Sequence, residues 1–302
     1  MTSNIQDIVL TFPEPSKQNT SFKYSFSVMP SEERLALNKI HNFCRYADDI
    51  VDEAPVLSSS TKLDEVLIKR KLLGMLREEV DKCYLGTTIH PVLKPLIEIV
   101  VRFRIPKQYF MILIDGVEMD LKRNRYENFS ELKDYCFGVA SIVGLMCLEI
   151  FGYKYEETKE YAINLGIALQ LTNIIRDVAI DAKLGRIYIP KEDLTLYDYS
   201  EKDLFSGLYN VKFVELMRFQ ARRAREYYGK ARAALHSDER NSVFAAEIMD
   251  AIYYRLLEKI ELREFNVFTN NRISVRTSHK IWIAAKLWIV TKLLTNRKTL
   301  KS

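Results

Sequence analysis

The sequence predicts an all-α protein built as one domain. Three observations carry that expectation. Glycine (10) and proline (8) are few for 302 residues. Leu, Ile, Ala, Lys and Glu are many, which points to helix. No segment alternates with the period of two that a half-buried strand requires, and no repeat or low-complexity linker divides the chain.

Taken in order, residues 1–20 carry Pro13 and Pro15 without a clear period and are expected as an extended arm, leaving 21–302 as the domain. Pro30 and Ser31 mark a helix start, with Glu32 and Glu33 in the first turn where the helix dipole favours acids. That helix is expected to run through Leu35, Ile40, Phe43 and Ala47 and to stop before Pro55. Helices follow over 61–84, 91–103 and 106–122, with Pro91 and Pro106 in tolerated first-turn positions. After Ser130 a long apolar run, Tyr135 to Phe151, closes at Gly152. Another helix is expected over 156–181. Residues 182–200, with Gly185, Pro190 and clustered acids and tyrosines, read as loop. Amphipathic helices then cover 211–236 and 241–264, and a basic one covers 277–296.

Composition narrows the function classes. The chain is 48% hydrophobic, enough for a sizeable core, and carries a net charge of +5. That excess suits an anionic ligand or a membrane surface better than nucleic acid, for which no recognition motif is present. Cys44, Cys83, Cys136 and Cys147 form no CxxC pair and do not fall with histidines at zinc spacing, so reduced, packed thiols in the cytosol are expected. No signal peptide is read at the N-terminus. No uninterrupted apolar run reaches the roughly 18 residues of a membrane span.

Two acidic segments stand out. Asp48-Asp49-Ile50-Val51-Asp52 and Asp177-Val178-Ala179-Ile180-Asp181 each place carboxylates at i and i+4, one turn apart on one helix face. Like charges at that spacing repel. In the first helix, Arg45, Asp48, Asp49 and Asp52 share a stripe. In the second, Gln170, Asn173, Asp177 and Asp181 share one, with Arg176 beside them. A single pair of this kind is ordinarily solvated surface; two of them on apolar helices, each with an arginine, point to cation binding. Mg²⁺ takes oxygen ligands and commonly pairs one or two carboxylates with substrate phosphates. Arginines can grip the phosphate oxygens.

These residues resemble the squalene/phytoene synthase family. Ser21-Phe22-Lys23-Tyr24-Ser25-Phe26 with Phe43 to Glu53 is similar to its first signature. Tyr135 to Gly144 is similar to its second, and Gln170 to Asp181 followed by Gly185-Arg186-Ile187-Tyr188-Ile189-Pro190 to its third. The resemblance implies an all-α isoprenoid synthase bundle with a central cavity. It implies head-to-head condensation of two prenyl diphosphates. It also implies that Asp48, Asp52, Asn173, Asp177 and Asp181 hold Mg²⁺, with Mn²⁺ as the alternative ion. Arg45, Gln170 and Arg176 would complete those sites. Ser21, Phe22, Phe26, Asp120, Val139, Tyr188, Tyr254 and Arg272 match positions around the substrate. Phe22, Phe26 and Tyr135 could stabilise a carbocation, and Tyr135 could also move a proton. His41 and Phe137 stand where many relatives carry Tyr; His41 either replaces a hydrogen bond or packs.

The C-terminal stretch from Ile248 to Ile260, with Phe265 to Phe268 and Lys280-Ile281-Trp282, looks most like bacterial presqualene diphosphate synthases of hopanoid pathways. The first expectation is therefore two farnesyl diphosphates joined to presqualene diphosphate, squalene or a related product. The alternatives are phytoene from two geranylgeranyl diphosphates, a terpene cyclase, and a non-catalytic helical partner protein. Absence of a nucleotide fingerprint leaves NADPH use open. The final helix is read first as a packed closing element. A basic amphipathic helix of this kind also suits peripheral contact with the inner face of a membrane. Downstream isoprenoid enzymes are the conceivable protein partners.

Overall fold

The computed structural model describes residues 25–52, 62–269 and 271–299. Among these there is no strand, and the helices follow the apolar periodicities closely. We number them α1 (Ser31–Asp52), α2 (Lys62–Tyr84), α3 (Ile97–Arg102), α4 (Lys107–Lys122), α5 (Phe129–Cys136), α6 (Ile142–Phe151), α7 (Glu157–Lys183), α8 (Lys191–Leu196), α9 (Glu201–Phe205), α10 (Val211–Ala234), α11 (Phe244–Glu261) and α12 (Thr277–Thr299). The expected arm, 1–20, lies outside the described residues.

Helix α1 shows why these segments are helical and where they bury. Ala36, Leu37, Ile40, Phe43, Cys44, Ala47, Ile50 and Val51 recur at helical spacing and are all buried. Phe43 meets Phe110 of α4 edge to face, with ring centroids 4.9 Å apart. Such a pair adds about 1 kcal/mol beyond its burial. The four cysteines are free and buried, as packed thiols should be.

Helix α7 is the axis of the bundle, with α10 along one side and α6 along another. Close approach depends on glycine. A Cβ on Gly166 of α7 would fall 2.5 Å from Ser141 Cα. One on Gly116 of α4 would fall 2.7 Å from the carbonyl carbon of Gly138. Between α5 and α6 the chain widens to a π-turn over Phe137–Ser141. Ser141 Oγ there donates to the Ile163 carbonyl of α7 at 2.7 Å. π-Turns inside helices often mark functional sites, and this one turns Val139 into the centre of the bundle.

Several expectations need correction. The segment 182–200 is not all loop: Pro190 opens α8, whose Asp193 is buried against Gln220 and Arg223 of α10. The expected helix over 91–103 is shorter. Pro91 sits in a turn, and Pro95 occupies the first turn of a 3₁₀ segment, Lys94–Leu96, leading into α3. Two stretches, Phe129–Phe151 and Glu157–Lys183, prove long and apolar enough to cross a membrane by length and composition, although neither contains an unbroken apolar run of roughly 18 residues. Half or more of each apolar window is buried inside the bundle.

Candidate active site

The two acidic stripes face one space. The C-terminal turn of α1 supplies Asp48 and Asp52, and α7 supplies Gln170, Asn173, Asp177 and Asp181. With Asp120, Tyr135, Arg176, Arg186, Tyr188 and Arg272 they line a polar cavity. Asp48, Val139, Gln170 and Asn173 also border a second, apolar cavity. Its wall includes Phe26, His41, Cys147, Leu148, Leu165, Leu169, Met249 and Tyr253. A charged cavity therefore adjoins an apolar one.

The carboxylates fall into two electrostatic classes. Asp48 is exposed where it lines the cavity, while protein atoms crowd the rest of its surroundings. Burial, then the charge of Asp52, pushes its pKa up to about 7 against the pull of Arg45. Asp181 is pushed up to about 7 by burial and by Asp177, with Arg186 opposing. No Lys or Arg among the described residues bonds either carboxylate. Asp177 differs. Burial works against its ionisation, but two guanidiniums overcome this and hold its carboxyl below the usual range. Arg176 Nε donates at 2.8 Å, and Arg272 donates through Nε at 2.8 Å and Nη2 at 2.6 Å. Asp52 accepts from Arg186 Nη2 at 2.9 Å. Asp49 points away: it is buried and bonded to Arg45 at 3.3 Å.

The donor set fits hard cations. Asp48 and Asp181 are acidic oxygens short of positive charge. Asn173 Oδ1 is buried with no hydrogen-bond partner, while its amide nitrogen donates to Gln170 Oε1 at 3.3 Å. A carbonyl oxygen left so suits a metal or a metal-bound water. Among the described residues no three acidic, His or Cys groups already converge at ligating distance.

Above the acids lies an aromatic group. Tyr135 and Tyr188 stack with centroids 5.1 Å apart, and Tyr126 stacks on Tyr188 at 5.9 Å. Both Tyr135 and Tyr188 donate to Asp120, at 3.0 and 2.8 Å. Burial raises the pKa of Asp120, and Arg186 with the two hydroxyls opposes that rise.

Local backbone explains how Arg186 and Tyr188 arrive. Gly185 takes φ +77° after α7, a conformation glycine adopts freely. The Arg186 amide then returns to the Asp181 carbonyl at 2.9 Å. Ile187 and Lys191 amides bond the Asn124 and Tyr126 carbonyls, fixing the segment against the α4–α5 connection. Arg186 was not among the site residues expected from sequence, although it stands five residues beyond Asp181 in a glycine-led turn.

Of the residues expected at the site, Asp48, Asp52, Asp120, Tyr135, Val139, Gln170, Asn173, Arg176, Asp177, Asp181, Tyr188 and Arg272 line the polar cavity. Phe26 and Arg45 line the apolar one. Ser21 and Phe22 lie outside the described residues. Tyr254 lines neither cavity. Its hydroxyl is bonded by Arg225, and its ring lies between Arg225 and Arg232 at 4.8 and 4.4 Å. Its neighbour Tyr253 faces the apolar cavity instead. His41 borders that cavity with its pKa lowered to about 4 by burial and then by Arg45, so it is neutral there. Phe137 packs against the core.

Comparison with known proteins agrees with this architecture. Residues 16–279 match the family model described as squalene/phytoene synthase. The chain is 40% identical over 277 residues to a phytoene synthase from Arthrospira platensis, covering 86% of this chain and 85% of the relative. It is 33% identical over 279 residues to a 15-cis-phytoene synthase from Synechocystis sp., covering 88% and 80%. A crystal structure of a dehydrosqualene synthase superimposes with TM-score 0.76 at 26% identity, over 90% of this chain and 92% of that one. A squalene synthase from Alicyclobacillus acidocaldarius shares the fold with TM-score 0.72 at 22% identity, over 81% and 89%.

Proposed function

The chain belongs to the squalene/phytoene synthase family and is a prenyltransferase, and we propose that it joins two geranylgeranyl diphosphates head to head to form phytoene. This reverses the order of the sequence expectations, which placed presqualene diphosphate from farnesyl diphosphate first. The relatives at 33–40% identity reported above are all named phytoene synthases, and they outweigh the C-terminal likeness on which that order rested. Farnesyl diphosphate remains the second reading, favoured by the similarity to a dehydrosqualene synthase.

The observation that carries the proposal is the join between the two cavities at Asp48, Val139, Gln170 and Asn173. A prenyl diphosphate has the same division, an anionic head and a long apolar tail. Asp48, Asp52, Asn173, Asp177 and Asp181 would hold Mg²⁺, which when bound neutralises the diphosphate and stabilises it as a leaving group. Arg176, Arg272 and Arg186 exchange their carboxylate partners for phosphate oxygens as substrate enters. Stabilising the departing charge with preorganised donors is the largest service such a site offers. Tyr135, Tyr188 and Phe26 present ring faces to the allylic cation left behind. The apolar wall excludes the water that would quench it. Joining two geranylgeranyl diphosphates to the uncharged hydrocarbon releases both diphosphates and two protons. Asp120, positioned by two tyrosine hydroxyls and made more basic by burial, is the base at the rim.

The test is incubation of the protein with Mg²⁺ and geranylgeranyl or farnesyl diphosphate, with and without NADPH, and mass spectrometry of extracted products. Phytoene formed without NADPH is the expected result. Turnover of farnesyl diphosphate alone would move the enzyme to the second reading. A cyclised or merely hydrolysed product from both substrates would sink head-to-head condensation altogether.

A further inference from the structure

Helix α12 presents two apolar faces, one buried and one exposed. Ile283 and Ala284 are buried, with half-buried Leu287, against Phe244, Ile248 and Ile252 of α11. On another face Ile281, Trp282, Trp288 and Ile289 are 54%, 56%, 49% and 52% exposed. Together with exposed Ala285 they recur at i, i+1, i+4, i+7 and i+8, which makes one continuous stripe over two turns. A single exposed large apolar residue is ordinary; four in one stripe mark a surface that meets something.

Charge identifies what it meets. The helix carries Lys280, Lys286, Lys292, Arg297 and Lys298 and no Asp or Glu. The Lys286 ammonium lies 5.1 Å from the Trp282 ring, so charge and aromatic surface adjoin. Pairing this stripe with a second copy of itself would set lysines against lysines with no acid to answer them. An anionic lipid surface satisfies both halves. Indole rings favour the boundary between headgroup and acyl chain, and lysines beside them gain from acidic headgroups. We propose that α12 seats the protein on an anionic membrane through Ile281, Trp282, Trp288 and Ile289.

The position has a consequence for the enzyme. Helix α11 holds α12 with Ile248 and Ile252 and lines the apolar cavity with Met249 and Tyr253. One helix thus separates the lipid-facing stripe from the cavity that takes the prenyl tail. The membrane proposal does not depend on which prenyl diphosphate is condensed.

Trp282 and Trp288 are the two tryptophans of the whole chain, so intrinsic emission reads this stripe alone. The full chain is mixed at low salt with vesicles of phosphatidylcholine containing phosphatidylglycerol, and with phosphatidylcholine alone. Expected are a blue shift and flotation with the anionic vesicles, both reversed by salt. The double variant Lys280→Glu/Lys286→Glu should bind about thirtyfold more weakly or worse. Ile281→Ser/Ile289→Ser should lose the shift while keeping helical circular dichroism and turnover of soluble substrate. Unchanged emission with anionic vesicles at low salt overturns the proposal. So does a lipid-free blue shift that grows with protein concentration alongside a dimer mass, which would give the stripe to a second copy.

Discussion

Among the individual residues, Asp48 and Asp181 differ from Asp177 by what surrounds them rather than by where they sit. Each pair is spaced alike, yet Asp177 is gripped by two guanidiniums while Asp48 and Asp181 are raised to about 7. A carboxyl whose folded pKa exceeds its unfolded value favours folding while protonated. As pH rises from 3.8 toward 7, the unfolded chain ionises first and stability falls; above the folded value it levels. In chelator, the melting temperature should therefore decline through that window, and Asp48→Asn should flatten the decline. An unchanged slope in the variant would show that Asp48 does not titrate there. The same substitution should lower turnover by roughly two to three orders of magnitude in saturating Mg²⁺, as loss of one group aimed at developing charge does. Arg272→Lys tests the other class. It keeps the charge but loses the fork, so KM for the diphosphate should rise by about tenfold with the fold intact. The acids were legible from spacing alone. Arg186 was not, because its place depends on a glycine turn and on hydrogen bonds to residues some sixty positions earlier in the chain.

Helix starts and stops were readable wherever a local signal acts. Ser31 with two acids and Gly152 at φ +72° are such signals. What misled the reading of 182–200 was tertiary: α8 is six residues long and is held by Asp193 buried against α10. An isolated helix that short does not form in water, so no local pattern could announce it. The π-turn was equally hidden inside an apolar run. Its geometry rests on Gly166 receiving the Ser141 backbone, with a hypothetical Cβ at 2.5 Å from Ser141 Cα. Since the obstacle is backbone, Gly166→Ala must shift α7 against α6. It should cost about 1–3 kcal/mol, the usual price of overpacking, and lower the melting temperature by several degrees. Because the shift also moves Val139, activity should drop more than stability at temperatures where the variant remains folded. A fully active, equally stable variant would show that the close approach is dispensable.

In the assembled molecule, the two acidic helices are held near each other by a core that does not need them. The stripes of α1 and α7 meet across polar space, and burial leaves Asp48 and Asp181 short of countercharge. The architecture thus carries like-charge repulsion, which the proposed metal–diphosphate ligand would relieve. Thermal unfolding makes this measurable. A non-ionisable thiolodiphosphate analogue of the prenyl substrate, added with Mg²⁺ at about a hundred times its dissociation constant, should stabilise the fold by ~2.7 kcal/mol. Mg²⁺ alone or the analogue in chelator should give much less, because the acids repel a bare anion and the arginines occupy Asp177 and Asp52. In Asp48→Asn/Asp181→Asn the gain should disappear while the ligand-free melting temperature holds or rises, since two carboxylates that repel Asp52 and Asp177 are gone. That opposite movement separates a ligand site from a structural role: acids that merely held the bundle together would lower the ligand-free melting temperature when removed. Equal stabilisation by the analogue with and without Mg²⁺ would mean that the arginines alone hold the diphosphate.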